Sequence, residues 1–265
     1  MKLEVRNLRV EYQMRRSQQR ILALKDISFG SGAWEFVAIV GPSGCGKTSL
    51  LHVIAGLVPA TQGNIFIDGH PITQPGRDRA IVFQSAALMP WRTVYRNVTY
   101  GLEIQKLPAD IIQGIARELI GLVGLTGFEE SYPRELSGGM QQRVNLARAL
   151  ATSPEVLLMD EPLSSLDAQM RELMQFEIQR IWMETHKTIL YVTHLIDEAV
   201  FLADRVIVLT ARPGTIKVIV PIDLPRPRTI KLKKSPDFHR LQSMLWDLTE
   251  EEFKKLGEPG SEMIK

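Results

Sequence analysis

A lysine and a threonine stand in a glycine-rich run that could hold a nucleotide phosphate. The run is GPSGCGKT, residues 41–48, and it matches the pattern G-x-x-x-x-G-K-[ST] at every fixed position. Backbone N–H groups of such a loop surround a phosphate, Lys47 can reach the β- and γ-phosphates, and the Thr48 hydroxyl can ligate Mg²⁺. Many activities use this loop, so it predicts nucleotide binding and leaves the reaction open.

Two adjacent carboxylates could take part in the reaction. Asp160 and Glu161 follow the apolar run EVLLM, residues 155–159. Because neighbouring residues at the end of a strand point in different directions, Asp160 could hold Mg²⁺ while Glu161 orients or deprotonates a water for attack on the γ-phosphate. The alternative is a solvated acidic turn. The apolar run that leads directly to the pair favours a site.

Three further side chains stand at the ends of predicted strands. Gln84 ends RAIVFQ and His194 ends TILYVTH, and strand ends beside a phosphate loop face the ligand in α/β sheets. Both side chains could therefore contact the γ-phosphate, although each could also be an ordinary polar terminus. Tyr12, at the end of the first predicted strand, could be a core aromatic or a platform for adenine. The residues alone favour the core.

Two predicted helix starts also carry candidate ligands. LSGGMQQR, residues 136–143, places Ser137 as an N-cap, and Gly138 and Gly139 would leave the positive helix N-terminus accessible to an anion. An ordinary helix start explains the string equally well. In SSLD, residues 164–167, either Ser165 or Asp167 would be the N-cap of the next helix.

The elements that would position these residues alternate between strands and helices. Apolar runs predict buried strands at 35–40, 79–84, 155–162 and 188–194, and helical spacing predicts a helix at 48–56. The remaining predicted elements are strands from the start to Tyr12 and at 21–29, 63–68, 205–210 and 215–224, helices at 93–105, at 108–123 and from 137, and a polar loop at 13–20. Prolines at 221–227 mark a boundary. Short helices are predicted beyond it, one from the capping-box pattern of Thr249 and Glu252.

Composition excludes several classes of protein. The 265 residues are 45% hydrophobic, which is ample for a core, and 32 Lys+Arg nearly balance 30 Asp+Glu, so net charge gives no case for nucleic-acid binding. One cysteine excludes an intramolecular disulfide. No apolar run approaches the roughly 20 residues that cross a bilayer, and the first residues lack a signal-peptide core. We expect a soluble intracellular protein.

Taken in order, the motifs resemble those of the nucleotide-binding subunit of ATP-binding-cassette (ABC) transporters, over essentially the whole chain. Residues 41–48 match the Walker A loop, Gln84 matches the Q-loop glutamine, and residues 136–143 match the signature motif. Further along the chain, residues 156–162 match the Walker B strand, residues 164–167 match the D-loop, and His194 matches the switch histidine. Within the family, FQSAALMPWRTVYRNV (83–98) and the later ARPGTI and DLPRPR are similar to the importer ATPases of the nitrate, sulfonate, taurine and bicarbonate group.

The resemblance implies the fold and the division into domains. The fold is α/β, a P-loop NTPase (RecA-like) ABC ATPase core with an antiparallel β subdomain and an inserted α-helical subdomain. Residues 1–84 and 155–225 would form the ATP-binding core with the antiparallel β subdomain, 85–154 the helical subdomain with the signature motif, and 226–265 a short C-terminal helical extension. The activity would be ATP hydrolysis that energises uptake of a small anionic solute through separate membrane subunits.

The resemblance also assigns roles, and it moves the interpretation of Tyr12 to adenine stacking. Catalytic roles would belong to Lys47, Gln84, Glu161 and His194, and Mg²⁺ ligation to Thr48, Gln84 and Asp160. The residues that would contact ATP are Tyr12, Gly41, Pro42, Ser43, Gly44, Cys45, Gly46, Lys47, Thr48, Ser49, Ser137, Gly138, Gly139, Gln141 and Asp167. Leu195 departs from the family, where Asp often follows the switch histidine.

Partners follow from the same resemblance. Two ATPase subunits, here a homodimer, would hold two ATP molecules head to tail, so that Ser137, Gly138 and Gly139 act on the opposite subunit's nucleotide. Permease subunits would dock near Leu88–Tyr95, an extracytoplasmic solute-binding protein would act indirectly, and no nucleic acid would bind. The subunit would lie peripherally on the cytoplasmic face of the cell membrane. Three alternatives remain: a non-transport ABC ATPase in DNA repair or translation, a small-molecule kinase and a non-hydrolysing interaction module.

Overall fold

The computed structural model describes residues 1–13 and 20–257. The interior of the predicted polar loop at 13–20 and the last eight residues of the predicted C-terminal extension lie outside the described residues. Contacts group the described residues into two compact units, the first from Met1–Gly76 and Thr188–Lys265 and the second from Arg77–Lys187. The predicted division at 84, 154 and 225 stays a prediction.

The elements follow the predicted alternation, except that the strand at His70–Pro71 and the helix at Ile196–Leu202 were not predicted. In chain order they are β1 (Leu3–Gln13), β2 (Arg20–Ser31), β3 (Phe36–Val40), α1 (Lys47–Ile54), β4 (Gln62–Ile67), β5 (His70–Pro71), β6 (Arg79–Val82), α2 (Val94–Ile104), α3 (Ala109–Leu122), α4 (Gly138–Ala151), β7 (Val156–Asp160), α5 (Ala168–Thr185), β8 (Thr188–Val192), α6 (Ile196–Leu202), β9 (Arg205–Leu209), β10 (Ile216–Pro221), α7 (Ile230–Lys233) and α8 (Pro236–Gly257). No helix in the described part of the chain is long and apolar enough to span a membrane.

The first unit begins with an antiparallel sheet in the order β2-β1-β4-β5. Leu3, Val5, Leu8 and Val10 of β1 are buried. The alternation slips by one residue at Asn7, where φ is +47° and the register with β2 shifts. β5 was not predicted, because two residues are too few to show a periodic pattern.

The parallel strands of the first unit carry the phosphate loop. β3 lies between β8 and β9 and is parallel to both, and β10 pairs with β9 in the antiparallel direction. Every residue of β3 and of β8 is buried, because strands covered on both faces are apolar throughout. These strands are confirmed, and His194 lies just beyond the end of β8.

The second unit combines two parallel strands with four helices. β6 and β7 pair in parallel, and α4 packs on α2 and α3. The helices predicted at 93–105 and 108–123 are confirmed as α2 and α3. Gln84 lies two residues beyond β6, and Asp160 is the last residue of β7.

The prediction of several short helices after the prolines is wrong for most of that segment. After the four residues of α7, α8 runs unbroken for 22 residues. Thr249 is not an N-cap, since its hydroxyl donates to the carbonyls of Leu245 and Trp246 inside the helix. Glu252 instead accepts a hydrogen bond from the Ala211 backbone and pairs with Lys217 at 3.2 Å. The Thr-x-x-Glu spacing therefore marks a packed helix face here.

Candidate functional site

The phosphate loop runs from the end of β3 into α1. Gly46 is the N-cap of α1 with φ +106°, and a Cβ there would lie 2.6 Å from a methyl group of Leu24, so glycine is required at this position on both counts. The Lys47 ammonium is buried and donates to the carbonyl oxygens of Gly41 at 2.8 Å and Pro42 at 3.1 Å. These two hydrogen bonds fix the Lys47 ammonium against the backbone of the phosphate loop.

A distant segment supports the phosphate loop from behind. The Gly214 backbone lies so close that a Cβ there would be 2.1 Å from the Cys45 carbonyl oxygen. The Gly214 N–H donates to the Ala23 carbonyl, and the Arg212 guanidinium donates to the Gly44 carbonyl at 3.3 Å. ARPGTI was expected only to mark the subgroup, and this contact was not predicted, because no local pattern indicates a contact between residues 168 positions apart.

Burial decides the chemistry of Cys45. The side chain is 1% exposed, and burial raises the pKa of its thiol, an effect that the Lys47 ammonium partly opposes. A buried thiol with a raised pKa is a poor nucleophile. Cys45 therefore contributes its backbone to the loop.

Tyr12 lies beside the phosphate loop at the end of β1. It is 36% exposed, so the core interpretation that the residues alone favoured is wrong. Its hydroxyl donates to the Ser49 hydroxyl at 3.0 Å. The stacking role of Tyr12 stays a prediction, and it would need the partial exposure that this side chain has.

His194 occupies the turn between β8 and α6. Its side chain is exposed, whereas its neighbour Thr193 is buried. The Thr193 hydroxyl donates to the carboxylate of Glu198 in the first turn of α6. Glu198 was not predicted as a site residue, because the adjacent Asp197 makes the pair look like the ordinary acidic first turn of a helix.

The two carboxylates at the end of β7 differ in burial. Asp160 is buried, and Glu161 is partly exposed with a left-handed φ of +44°. Such a backbone is unfavourable for a residue with a Cβ and occurs where a side chain must be aimed. Gln84 donates through its amide nitrogen to the Ser164 hydroxyl at 3.0 Å, which donates to the Glu161 carbonyl at 2.9 Å. The structure thus brings Gln84 to the turn that carries Glu161.

The signature segment begins α4 as expected. Ser137 is the N-cap, and its hydroxyl accepts from the Met140 N–H at 3.3 Å. A Cβ on Gly139 would lie 2.6 Å from the Met170 sulfur of α5, so packing also favours glycine there. The Gln141 amide donates to the carbonyls of Pro133 and Leu136, which fixes the chain that leads into the helix.

Asp167 is the N-cap of α5. Its Oδ1 accepts from the backbone N–H groups of Gln169 and Met170, each at 3.0 Å. This resolves the alternative with Ser165 in favour of Asp167.

Buried polar residues on α4 were missed. The amides of Gln142 and Asn145 donate to the Phe83 carbonyl, immediately before Gln84. The Arg148 guanidinium donates to the carbonyls of Ala86 and Ala87, and burial lowers its pKa. Their spacing of three residues places all three on one face of the helix. A row of polar side chains on one helical face could have indicated these residues in the sequence.

The predicted Mg²⁺ ligands have suitable chemistry. Asp160 offers a carboxylate, Thr48 a hydroxyl and Gln84 an amide oxygen, all hard oxygen donors that Mg²⁺ prefers. Among residues 1–13 and 20–257 no group of three or more His, Cys, Asp or Glu could hold a metal by itself. A single carboxylate is typical of Mg²⁺ that is bound together with substrate phosphates.

Comparisons with known proteins connect this geometry to a family. A family model described as ABC transporter matches residues 24–164. The nitrate import ATP-binding protein of Synechocystis sp. is 47% identical over 226 residues, 83% of this chain and 85% of that protein. The taurine import ATP-binding protein of Roseobacter denitrificans is 41% identical over 257 residues, 94% of this chain and 96% of that protein.

A solved structure gives the same result for the fold. A dimeric ATP-binding cassette in a post-hydrolysis state, bound to ADP and Pi, has a TM-score of 0.73 and 30% identity, covering 84% of this chain and all of that one. The expected α/β ATPase fold is confirmed, and so is the expected resemblance to the nitrate and taurine group. The chain binds ATP and belongs to the ABC transporter family, as one of its ATP-hydrolysing subunits.

Proposed function

We propose that this subunit energises import of a small anionic solute of the nitrate, sulfonate, taurine or bicarbonate type. The observation that carries the proposal is the similarity, over more than four fifths of the chain, to proteins named as nitrate and taurine import subunits. The solute would pass through separate membrane subunits and reach them from an extracytoplasmic binding protein.

The reaction would be transfer of the γ-phosphoryl group of ATP to water. Lys47 would neutralise phosphate charge, Glu161 would position the attacking water and accept its proton, and Gln84 and His194 would contact the γ-phosphate. Tyr12 would stack on adenine while the backbone N–H groups of residues 41–49 bind the phosphates. Mg²⁺, held by Thr48, Gln84 and Asp160, would supply further charge neutralisation.

The site would be completed by a second copy of the chain. The solved relative is described as a dimer, and Ser137 stands at the exposed N-terminus of the 14-residue α4. We propose that Ser137, Gly138 and Gly139 contact the triphosphate of the opposite subunit, with Gln141 and Asp167 beside it. ATP binding would then close the dimer, and hydrolysis would open it.

The membrane subunits would dock on residues 88–95. Asn97 fixes this segment by donating to the carbonyls of Met89, Arg92 and Thr93. Trp91 projects from it with 74% of its surface exposed. A cavity of about 310 Å³ lined by Tyr95, Gln113, Arg117, Ile120, Glu129 and Glu130 lies in the same unit. Such a docked subunit would hold the protein on the cytoplasmic face of the membrane.

Copurification and reconstitution test the proposal. The full chain is isolated from membranes of its host, and the copurifying multi-span subunits are reconstituted into vesicles with their solute-binding protein. We expect ATP hydrolysis that increases when the binding protein carries nitrate, taurine or a related anion. Stimulation by a sugar or an amino acid instead would contradict the solute class.

The main alternative, a non-transport ABC ATPase in DNA repair or translation, is not favoured by the import relatives. The near-neutral charge of +2 also gives little attraction to nucleic acid. Salt-dependent binding of the chain to DNA or ribosomes, without copurifying membrane subunits, would support that alternative.

A further inference from the structure

A buried carboxylate lies directly beneath the turn that carries His194. Glu198 is 1% exposed, and one of its oxygens, Oε2, accepts two hydrogen bonds. The Tyr191 hydroxyl donates to it at 2.8 Å, and so does the Thr193 hydroxyl, also at 2.8 Å. All three residues belong to the first unit. A carboxyl group in such an environment requires hydrogen-bond partners, because a buried polar group without them is costly.

Hydrogen bonds hold the chain on both sides of His194. Thr193 precedes His194, and its backbone N–H donates to Ile39 of β3 at 3.2 Å. The same Thr193 hydroxyl that donates to Glu198 accepts from the N–H of Leu195, the residue after His194, at 3.0 Å. The backbone is therefore held on both sides of His194, at the N–H of Thr193 and at the N–H of Leu195.

The carboxylate connects this turn to two secondary-structure elements. Tyr191 is fully buried in β8, whereas Glu198 is in α6. Any rotation of α6 about the end of β8 would have to break both hydrogen bonds to Oε2 of Glu198, and a buried polar group that loses its partners is costly. His194 itself is exposed, whereas Glu198, Tyr191 and Thr193 are buried.

We propose that Glu198 is a positioning residue for His194, acting through the hydroxyls of Thr193 and Tyr191. The inference rests on the proposed role of His194 as the γ-phosphate contact. Glu198 touches neither nucleotide nor water in this account. Its function is to hold the backbone of the switch turn so that the imidazole is presented in one orientation, which transition-state contacts require.

Paired substitutions test the proposal in the full-length chain. Glu198→Leu removes the acceptor, whereas Glu198→Gln keeps an oxygen that can accept both hydroxyls. We expect Glu198→Leu to lower kcat about 10- to 100-fold, as a displaced contact group does, with KM for ATP nearly unchanged because the phosphate loop is untouched. Glu198→Gln should retain most of kcat. Glu250→Leu is the surface control, since Glu250 only pairs with Lys254 on α8.

A second pair keeps the test decisive if Glu198→Leu does not fold. Thr193→Val removes the shared hydroxyl with nearly the same shape, and Thr193→Ser restores it. We expect the Val variant to lose kcat and the Ser variant to recover it. In NMR spectra the His194 imidazole resonance, identified by its loss in His194→Ala, should move in Thr193→Val and return in Thr193→Ser.

A double-variant cycle separates positioning from general destabilisation. If Glu198 acts through His194, adding Glu198→Leu to His194→Ala should cost no further activity. Multiplicative losses, or a His194 resonance that is the same in Thr193→Val and Thr193→Ser, would overturn the inference while leaving the proposed function intact. Full kcat in His194→Ala would refute the switch role of His194 and the inference with it. A wild-type chain without ATPase activity would refute the proposed function.

Discussion

At the scale of single residues, the site depends on side chains held in place by their neighbours. Lys47 bonds to two carbonyls of its own loop, Tyr12 bonds to Ser49, and Gln84 reaches the Glu161 turn through Ser164. Each of these three side chains is thus fixed by a hydrogen bond to a neighbouring group. Three predictions concern residues of this kind.

Glu161→Gln should abolish turnover while ATP still binds. The amide cannot accept a proton from water, and losing a general base lowers rates about 10²- to 10⁴-fold. Phosphate release and ATP-dependent dimerisation on a sizing column measure the two effects. Glu118→Gln, an exposed carboxylate on α3, is the control that should keep full activity. A Glu161→Gln protein with wild-type hydrolysis would remove Glu161 from its role.

Tyr12→Ala should weaken ATP binding by about 1–3 kcal/mol, the range measured for base–aromatic stacking. Tyr12→Phe keeps the ring and loses only the hydrogen bond to Ser49, so it should retain most of the affinity. Calorimetric titration with ATP compares the three proteins. Equal affinity for all of them would show that the ring does not contact the base.

Cys45 should react slowly with thiol reagents, because burial raises its pKa and so lowers the thiolate fraction at any pH below that value. The chain has one cysteine, so every labelled thiol reports on this site. Labelling by a disulfide reagent at pH 8 should be at least about tenfold faster in denaturant than in the native protein. Equal rates would contradict the burial of the thiol.

At the scale of elements, the tail after the proline boundary supports α6. The Arg228 guanidinium is fully buried and donates to the carbonyls of Val200, Phe201 and Ala203 at the end of that helix. It also donates to the carbonyls of Ile222 and Leu224. A cation at a helix C-terminus is favourable, although burial and the neighbouring Arg226 lower the pKa of Arg228.

Arg228→Met should therefore destabilise the fold. Five carbonyls would lose a charged donor, which should lower the free energy of unfolding by about 3–5 kcal/mol. For a chain of this size such a change lowers Tm by roughly 6–20 °C. Thermal unfolding followed by circular dichroism measures the change. Arg240→Met is the matched control, because Arg240 is exposed and only pairs with Asp237 at 3.5 Å. Similar Tm values for both variants would show that Arg228 is not a structural anchor.

The sequence predicted elements whose signal is local. β3, β7 and β8 are continuous apolar runs, and the phosphate loop has a fixed spacing, so all of them were predicted together with the residues they position. The single helix α8 was missed because Thr-x-x-Glu has the same spacing at a helix start and on a packed helix face. Arg148 and Gly214 were missed because their partners lie far away in the sequence. Glu198 was missed because its burial cannot be read from a short helix that begins with two adjacent acidic residues.

At the scale of the whole molecule, the proposed coupling to membrane subunits requires a surface that the enzyme does not need for hydrolysis. We expect Trp91 to belong to that surface, since it is 74% exposed in a segment held by Asn97. An exposed aromatic on a rigid support is typical of an anchor at a protein interface.

Trp91→Ala should uncouple transport from hydrolysis. We expect the isolated chain to keep its ATPase rate, while ATP-driven uptake in vesicles reconstituted with the membrane subunits falls at least about tenfold, because a lost anchor costs 2 kcal/mol or more. Trp246→Ala is the control, because Trp246 on α8 is also exposed, at 61% against 74% for Trp91. Normal uptake by the Trp91 variant would place the docking surface elsewhere.

The segment that carries Gly214 has a consequence for truncation. The family model ends at residue 164, yet the phosphate loop rests on Arg212 and Gly214, which come almost fifty residues later. A fragment cut at the end of the matched region would keep every motif residue up to Ser164 and lose the backing of the loop. We therefore expect nucleotide binding only in pieces of this chain that extend past residue 214.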